Sequence, residues 1–396
     1  MYEMILFDVD GVLLSEKRCF DTTCLSVWEL LYSPYALGIA GEDFHPTPDE
    51  ETINRIRQDI LDEERILNWL KSRGVNSNWD MAALLFSFQL QELLKQLMEK
   101  QPDYVTAVLR KPLNRDAIQR IGKIVREEEL AFDPDYGKVI EVVNDESVDR
   151  LDLLSRINQL AEEWSGVKTQ VFSHGSALWN LCRDVYQEWY LGKDQYKKQE
   201  NKTPVYPEKA GFLEQEIPLA EPKEIRSMLD QLIRRGIELG VGTGRPDLET
   251  KVPLASLGLL EAFDSNRIVT ASDVVRAEEI YPDHAPLGKP HPFTYVKAFF
   301  GRKTSDTRSV AVRFPLSGAK RVLIVGDSVA DLLAAQRMGC HFAAVLTGPS
   351  GQKARDTFEE MQADYILDHV LDLLPLIERL ETESRKKQVT EPTEID

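Results

Sequence analysis

The chain has 396 residues, 42% of them hydrophobic and 29% charged, with a formal net charge of -18. That length supports two or three domains with separate cores, and the composition is that of folded globular protein. So acidic a surface repels nucleic-acid backbones, although a local group of cations and backbone N–H groups can still hold one phosphate. No stretch approaches the roughly 18 apolar residues that span a bilayer.

The chain opens on a short apolar run, Met4–Phe7, stopped by Asp8 and Asp10. The run is too short for a secretory leader and has no basic residues before it, so a cytoplasmic protein is expected. Its character is that of a parallel strand covered on both faces. A long stretch of helical periodicity follows. Ile53, Ile56, Ile60, Leu67 and Leu70 share one spacing, and Leu84, Leu85, Phe88, Leu93, Leu94 and Leu97 another. Two more series run from Leu151 to Trp164 and from Leu178 to Trp189, with Pro46, Pro48, Gly74, Pro102, Pro112 and Gly166 as breakers. A segment with this much periodic apolar surface buries a core of its own. Within it, Trp179, Tyr186, Trp189 and Tyr190 share a helical face that reads as core packing ahead of an aromatic pocket. The turn Phe172–Ser176 reads either as a specificity loop or as a helix start with Ser176 as cap.

Proline-rich sequence from Lys202 to Pro222 marks a return linker. Strands are then predicted at Ile237–Val241, Arg267–Val269, Val322–Val325, Phe342–Leu346 and Tyr365–Leu367, separated by helical segments. The expected fold is α/β, a doubly wound parallel sheet with a helical domain inserted after the first strand. The expected boundaries are 1–18 with 218–380 for the sheet domain, 19–217 for the insert, and 381–396 for a charged, frayed tail. The cysteines, Cys19, Cys24, Cys182 and Cys340, fit neither a metal knuckle nor a disulfide framework and read as reduced, buried thiols.

Four short motifs fall at the ends of predicted strands, where open α/β sheets place their ligands. In Phe7-Asp8-Val9-Asp10-Gly11 two carboxylates spaced by two point the same way. One is placed to attack a phosphorus atom and the other to handle a proton, although a turn capped by aspartates fits these residues equally. In Gly242-Thr243-Gly244-Arg245 a hydroxyl between glycines offers an anion nest, or merely a turn. In Gly288-Lys289-Pro290-His291-Pro292 a lysine held between glycine and proline can offset repulsion between phosphate and aspartates, or sit as an exposed loop lysine. His291 reads as structural. In Gly326-Asp327-Ser328-Val329-Ala330-Asp331 a buried strand ends in hard oxygen donors of the kind Mg²⁺ prefers.

In this order the four motifs resemble those of the haloacid dehalogenase superfamily, and in wording its phosphoglycolate phosphatase-like members. The resemblance covers 1–18 and 220–380, and the segment Ala363–Asp368 is similar to the close of that fold. It implies a magnesium-dependent phosphatase acting on a small phosphorylated metabolite, with no nucleic-acid or membrane partner. Asp8 would form an aspartyl-phosphate. Asp10 would protonate the leaving oxygen, activate water and touch the metal through its carbonyl. Thr243, Gly244 and Lys289 would hold the phosphoryl group, and Asp8, Asp10, Asp327 and Asp331 would hold Mg²⁺. Dehalogenation needs no acid at position 10, so the presence of Asp10 argues against it. A phosphomutase using the same intermediate, or a metabolite-binding protein without turnover, stays open. The insert is larger than the caps usual at this point, and the oligomeric state has no sequence signal.

Overall fold

The structure, a computed structural model, describes residues 2–73, 75, 77–143 and 150–390. Gly74, read as a helix breaker, lies outside the described residues. The chain divides into two compact units, Met1–Glu16 with Leu213–Asp396, and Lys17–Phe212.

The first unit is built on six parallel strands: β1 (Met4–Phe7), β2 (Glu238–Gly242), β3 (Ile268–Val269), β4 (Val322–Gly326), β5 (His341–Val345) and β6 (Tyr365–Leu367). Their order is β3-β2-β1-β4-β5-β6, with β1 in the middle, Phe7 beside both Val241 and Val325. Every strand found corresponds to one expected from sequence, displaced by a residue at most. The strands run apolar without alternation because both faces are covered. Ile5, Phe7, Leu239, Val241, Leu323 and Val325 point to one face, against Ile225, Leu229 and Leu232 of the helix Pro222–Arg234 and Leu373 and Ile377. Met4, Leu6, Val322, Ile324, Phe342 and Ala344 point to the other. They meet Tyr295 and Val296 of the helix Phe293–Phe300 and Leu332, Ala335 and Met338 of Val329–Met338.

The segments leading out of and back into this unit are tied together. Ser15 N donates to Ile217 O at 2.8 Å and Leu219 N to Leu13 O at 3.1 Å. Residues 213–217, expected in the insert, thus go with the sheet unit, and residues 17–18, expected with the sheet, go with the helical one. At the far end the helix Leu373–Thr390 runs on past Glu381, where a frayed tail is expected. Glu, Arg and Lys are good helix formers, and Arg235 reaches Glu378 at 2.5 Å and Glu381 at 3.8 Å. Residues 391–396 of that expected tail lie outside the described residues.

The second unit is helical among the described residues. Helices Lys17–Tyr32, Asn78–Met98 and Ala177–Glu200 pack on one another at its centre. Caps start them where the sequence supplies oxygen: Ser77 accepts from Asp80 N, and Ser176 from Trp179 N at 3.2 Å. Ser176 is thus the cap of the two readings offered for its turn. Tyr186, Trp189 and Tyr190 are buried in the core. The return segment is locked down by a buried ion triad. Lys209 Nζ lies 2.5 Å from Glu29 Oε2 and 2.8 Å from Glu188 Oε1, all three side chains 2% exposed or less. All four cysteines are buried and unbridged.

Candidate active site

β1, β2 and β4 end side by side, so the residues that follow them share one edge of the sheet. Asp8 follows Phe7 directly and is buried, its Oδ1 accepting from Val9 N at 2.7 Å. Lys289 reaches the same carboxylate, Nζ to Oδ2 at 2.9 Å, and also Asp331 Oδ1 at 2.7 Å. The ammonium sits over the Tyr295 ring, 4.8 Å from its centroid, while the Tyr295 hydroxyl donates to Asp331 Oδ1 at 2.7 Å. Asp331 is fully buried and takes a second hydroxyl, Ser328 Oγ, on Oδ2 at 2.7 Å. Ser328 also caps the helix that carries Asp331, so one turn fixes both residues.

Asp327 completes an acidic trio: Asp8, Asp327 and Asp331 each offer an oxygen within 4.8 Å of the others. Two glycines cradle Asp327. A Cβ at Gly11 would stand 2.1 Å, and one at Gly348 2.0 Å, from its Oδ2. The loop after β5 that supplies Gly348 is pinned by Thr347, whose Oγ1 donates to Gly11 O at 2.5 Å.

The charges do not balance. Burial pushes the Asp8 carboxyl up to about 7; Lys289 opposes the rise, and Asp331 and Asp10 add to it. Burial also holds Asp327 well above the usual carboxylate range, reinforced by Asp8 and Asp331. Burial works against charge on Lys289, but Asp331 and Asp8 outweigh it and keep the ammonium charged. One ammonium against three crowded carboxylates leaves a deficit of positive charge, and the donors are all hard oxygens. The trio therefore fits Mg²⁺, with Asp8, Asp327 and Asp331 as the residues that would hold it.

Asp10 stands apart from that trio. Its carboxylate is gripped by Arg245, Nε to Oδ1 at 2.8 Å and to Oδ2 at 3.0 Å, and Nη2 to Oδ1 at 2.5 Å. Arg245 Nη1 turns to Glu216 Oε1 at 2.7 Å and to the Glu249 carbonyl at 3.3 Å. Burial pushes the Glu249 carboxyl up to about 7, with Arg245 opposing and Glu216 and Asp10 adding. Thr243 is buried at the tip of β2, its Oγ1 accepting from Arg245 N at 3.2 Å, and Gly244 beside it is exposed. His291 accepts from Phe293 N at 3.2 Å at the start of a helix, as a structural loop histidine does.

Four of the seven residues singled out from sequence are thus brought together: Asp8, Asp327 and Asp331 in one cluster, with Lys289 on Asp8 and Asp331. Asp10, Thr243 and Gly244 line the same sheet edge. Sequence reasoning passed over Arg245, Glu216, Tyr295 and Gly348. Arg245 lay inside a quoted motif, and an arginine one residue beyond an anion nest is a usable signal. Glu216 and Gly348 carry none, because only the fold brings them near.

Fold and geometry together define a class: an α/β protein in which a buried carboxylate at the tip of the central strand is faced by a lysine and two further aspartates. A family model described as HAD-hydrolase-like matches residues 286–373. Phosphoglycolate phosphatases of Pectobacterium atrosepticum and Yersinia pseudotuberculosis are 29% identical over 156 and 159 residues. Those segments are 39% of this chain and 53% and 54% of the relatives, so the chain spans about half the length of the curated relatives it matches. An X-ray structure solved as a target of the Northeast Structural Genomics Consortium is 38% identical, covering 96% of this chain and 99% of that one, with a TM-score of 0.86. The helical unit is therefore shared with that protein. Over residues 286–373 the chain matches the HAD-hydrolase-like family, and over 39% of its length it is similar to curated phosphatases.

Proposed function

We propose that the chain is a magnesium-dependent phosphatase that hydrolyses a small phosphomonoester through an aspartyl-phosphate on Asp8. The observation that carries this reading is the Asp8 carboxylate held at once against Lys289 and the Asp327–Asp331 pair. Two relatives named phosphoglycolate phosphatase support a small phosphorylated substrate. The helical unit is assigned the choice of leaving group, and the cytoplasm is the proposed location. Among the described residues no helix is long and apolar enough to cross a membrane.

In the first step an Asp8 oxygen bonds to phosphorus as the ester P–O bond breaks, and Asp10 gives its proton to the departing oxygen. In the second, Asp10 takes a proton from water, whose oxygen bonds to phosphorus and releases Asp8 and inorganic phosphate. Lys289, Thr243 and the Gly244 N–H are assigned the phosphoryl oxygens, where positioning and charge neutralisation supply most of the rate. Asp8, Asp327 and Asp331 would hold Mg²⁺, which would supply positive charge to offset that of the phosphoryl group.

The test is phosphate release from a panel of phosphomonoesters, with Mg²⁺ and with EDTA, for the wild type and Asp8→Asn. Metal-dependent release that disappears in the variant, with its melting transition intact, is expected. Release by Asp8→Asn at the wild-type rate would refute the mechanism.

A further inference from the structure

Arg245 has no assigned task in the scheme above. A buried guanidinium beside a phosphate site is a natural candidate for a phosphate ligand, but its contacts point elsewhere. Nε, Nη1 and Nη2 are each engaged with protein oxygens: Asp10 takes Nε and Nη2, while Glu216 and the Glu249 carbonyl take Nη1. The Arg245 side chain is 6% exposed and that of Glu216 1%, against 28% for Asp10. The ordering is what a scaffold requires: the two supporting groups are packed, and the one they support reaches solvent.

The fork geometry matters because a guanidinium presents N–H groups in a fixed plane. A carboxylate held by two of its nitrogens has its own plane and rotamer set by that fork. Glu216, on the third nitrogen, sets the fork in turn. Glu216 lies next to Ile217, whose carbonyl accepts from Ser15 N, and the same ribbon joins Leu219 to Leu13 and bridges Leu14 to Pro218. The chain of contacts therefore runs from the paired segments that leave and re-enter the sheet unit, through Glu216 and Arg245, to the Asp10 carboxylate.

Building on the phosphatase reading, we propose that Arg245 and Glu216 are positioning residues for Asp10. They hold its carboxylate at the place from which it serves the leaving oxygen and tie that placement to the paired crossover segments. Neither residue touches substrate. Their contribution is confined to steps in which Asp10 moves a proton, and this separates the idea from a general structural role.

Leaving-group dependence in the full-length protein reads that difference. Arg245→Lys keeps the charge and loses the fork; Glu216→Gln keeps the shape and loses the charge that anchors it. With Mg²⁺ present, kcat/KM is measured for an alkyl ester, β-glycerophosphate, and for p-nitrophenyl phosphate, whose phenolate departs without a proton. General acid catalysis contributes about 10²–10⁴-fold, so a misplaced but present Asp10 should lower the alkyl-ester value by about 10–100-fold. The aryl ester should fall by about threefold or less, since its departure does not use that acid. Glu216→Gln should show the same pattern at smaller amplitude, and it decides the matter if Arg245→Lys fails to fold. An equal fall for both esters, or no fall for either, overturns the proposal. Asp8→Asn run beside them separates the two levels. Its inactivity with an unmoved ester ratio in the Arg245 and Glu216 variants sinks the positioning role alone, whereas full activity in Asp8→Asn sinks the phosphatase mechanism beneath it.

Discussion

Gly348→Ala puts the smallest possible probe against Asp327. The new Cβ would meet Asp327 Oδ2 at 2.0 Å and its Cγ at 2.9 Å, and the backbone at 348 is not left-handed, so alanine itself fits the local conformation. Ordinary contact begins at 3.4 Å, so the carboxylate must retreat by about 1.4 Å, and misplacements of about 1 Å in a reacting assembly cost on the order of 10²-fold in rate. The same retreat pulls one corner of the acidic trio out of reach of the others. The expected result is a loss of about 10²-fold in kcat/KM, together with a higher Mg²⁺ concentration for half-maximal activity. The melting temperature should move little, because the strain falls on a polar side chain at the sheet edge and not on the apolar core. Phosphate release titrated against Mg²⁺, beside a thermal melt, measures both. Near-wild-type activity at the wild-type Mg²⁺ requirement would refute the placement of Asp327 against this loop.

Tyr295→Phe removes the hydroxyl that donates to Asp331 but leaves the ring under Lys289. Losing a hydrogen bond to a charged group costs about 1.5–3 kcal/mol, so kcat/KM should drop by about 10–100-fold in steady-state assays. Lys209→Met leaves Glu29 and Glu188 buried without their shared cation, a loss of about 3–5 kcal/mol in urea or thermal unfolding at neutral pH. The pH dependence has a definite sign. Burial already raises the Glu29 carboxyl above its ordinary value, with Lys209 opposing. The folded state therefore keeps its proton to higher pH than the unfolded chain, and stability falls as pH rises through that window. Without Lys209 the window widens, so the deficit should be larger at pH 8 than at pH 5. Equal deficits would contradict it.

The sheet was legible because parallel strands are written as short apolar runs ended by Gly, Asp or Thr, and each run here is closed by such a residue. Asp8, Lys289 and Asp327 were legible because each sits where a strand or a rigid loop stops, and Asp331 because it falls in the first turn of the helix that follows β4. The helix Lys17–Tyr32 was not. It is buried along almost its whole length, with Arg18, Asp21 and Glu29 interior alongside Leu25 and Leu30. A helix surrounded on every side shows no apolar stripe to read. Its polar residues looked like surface, yet Arg18 pairs with Glu50 at 2.6 Å and Glu29 with Lys209. Those partnerships between distant residues are invisible in one dimension, as is the approach of Glu216 to Arg245. Pro102, read as a breaker, in fact opens the helix Pro102–Val108, where a missing N–H costs nothing.

The central place of β1 has a consequence for biosynthesis. Both strands that flank it, β2 and β4, come later than residue 237, so β1 is made well before either of its partners. At about 5–20 residues per second, a ribosome takes roughly 10–50 s to travel from Phe7 to Glu238. During that interval Met-Ile-Leu-Phe has neither edge paired. The helical unit, one continuous stretch from Lys17 to Phe212, emerges whole in the meantime and can close its own core. The nascent chain is therefore expected to carry a finished helical body with an apolar tetrapeptide before it still unpaired. An unpaired apolar strand invites aggregation, so covering those few residues until β2 emerges is expected to favour the yield of folded protein.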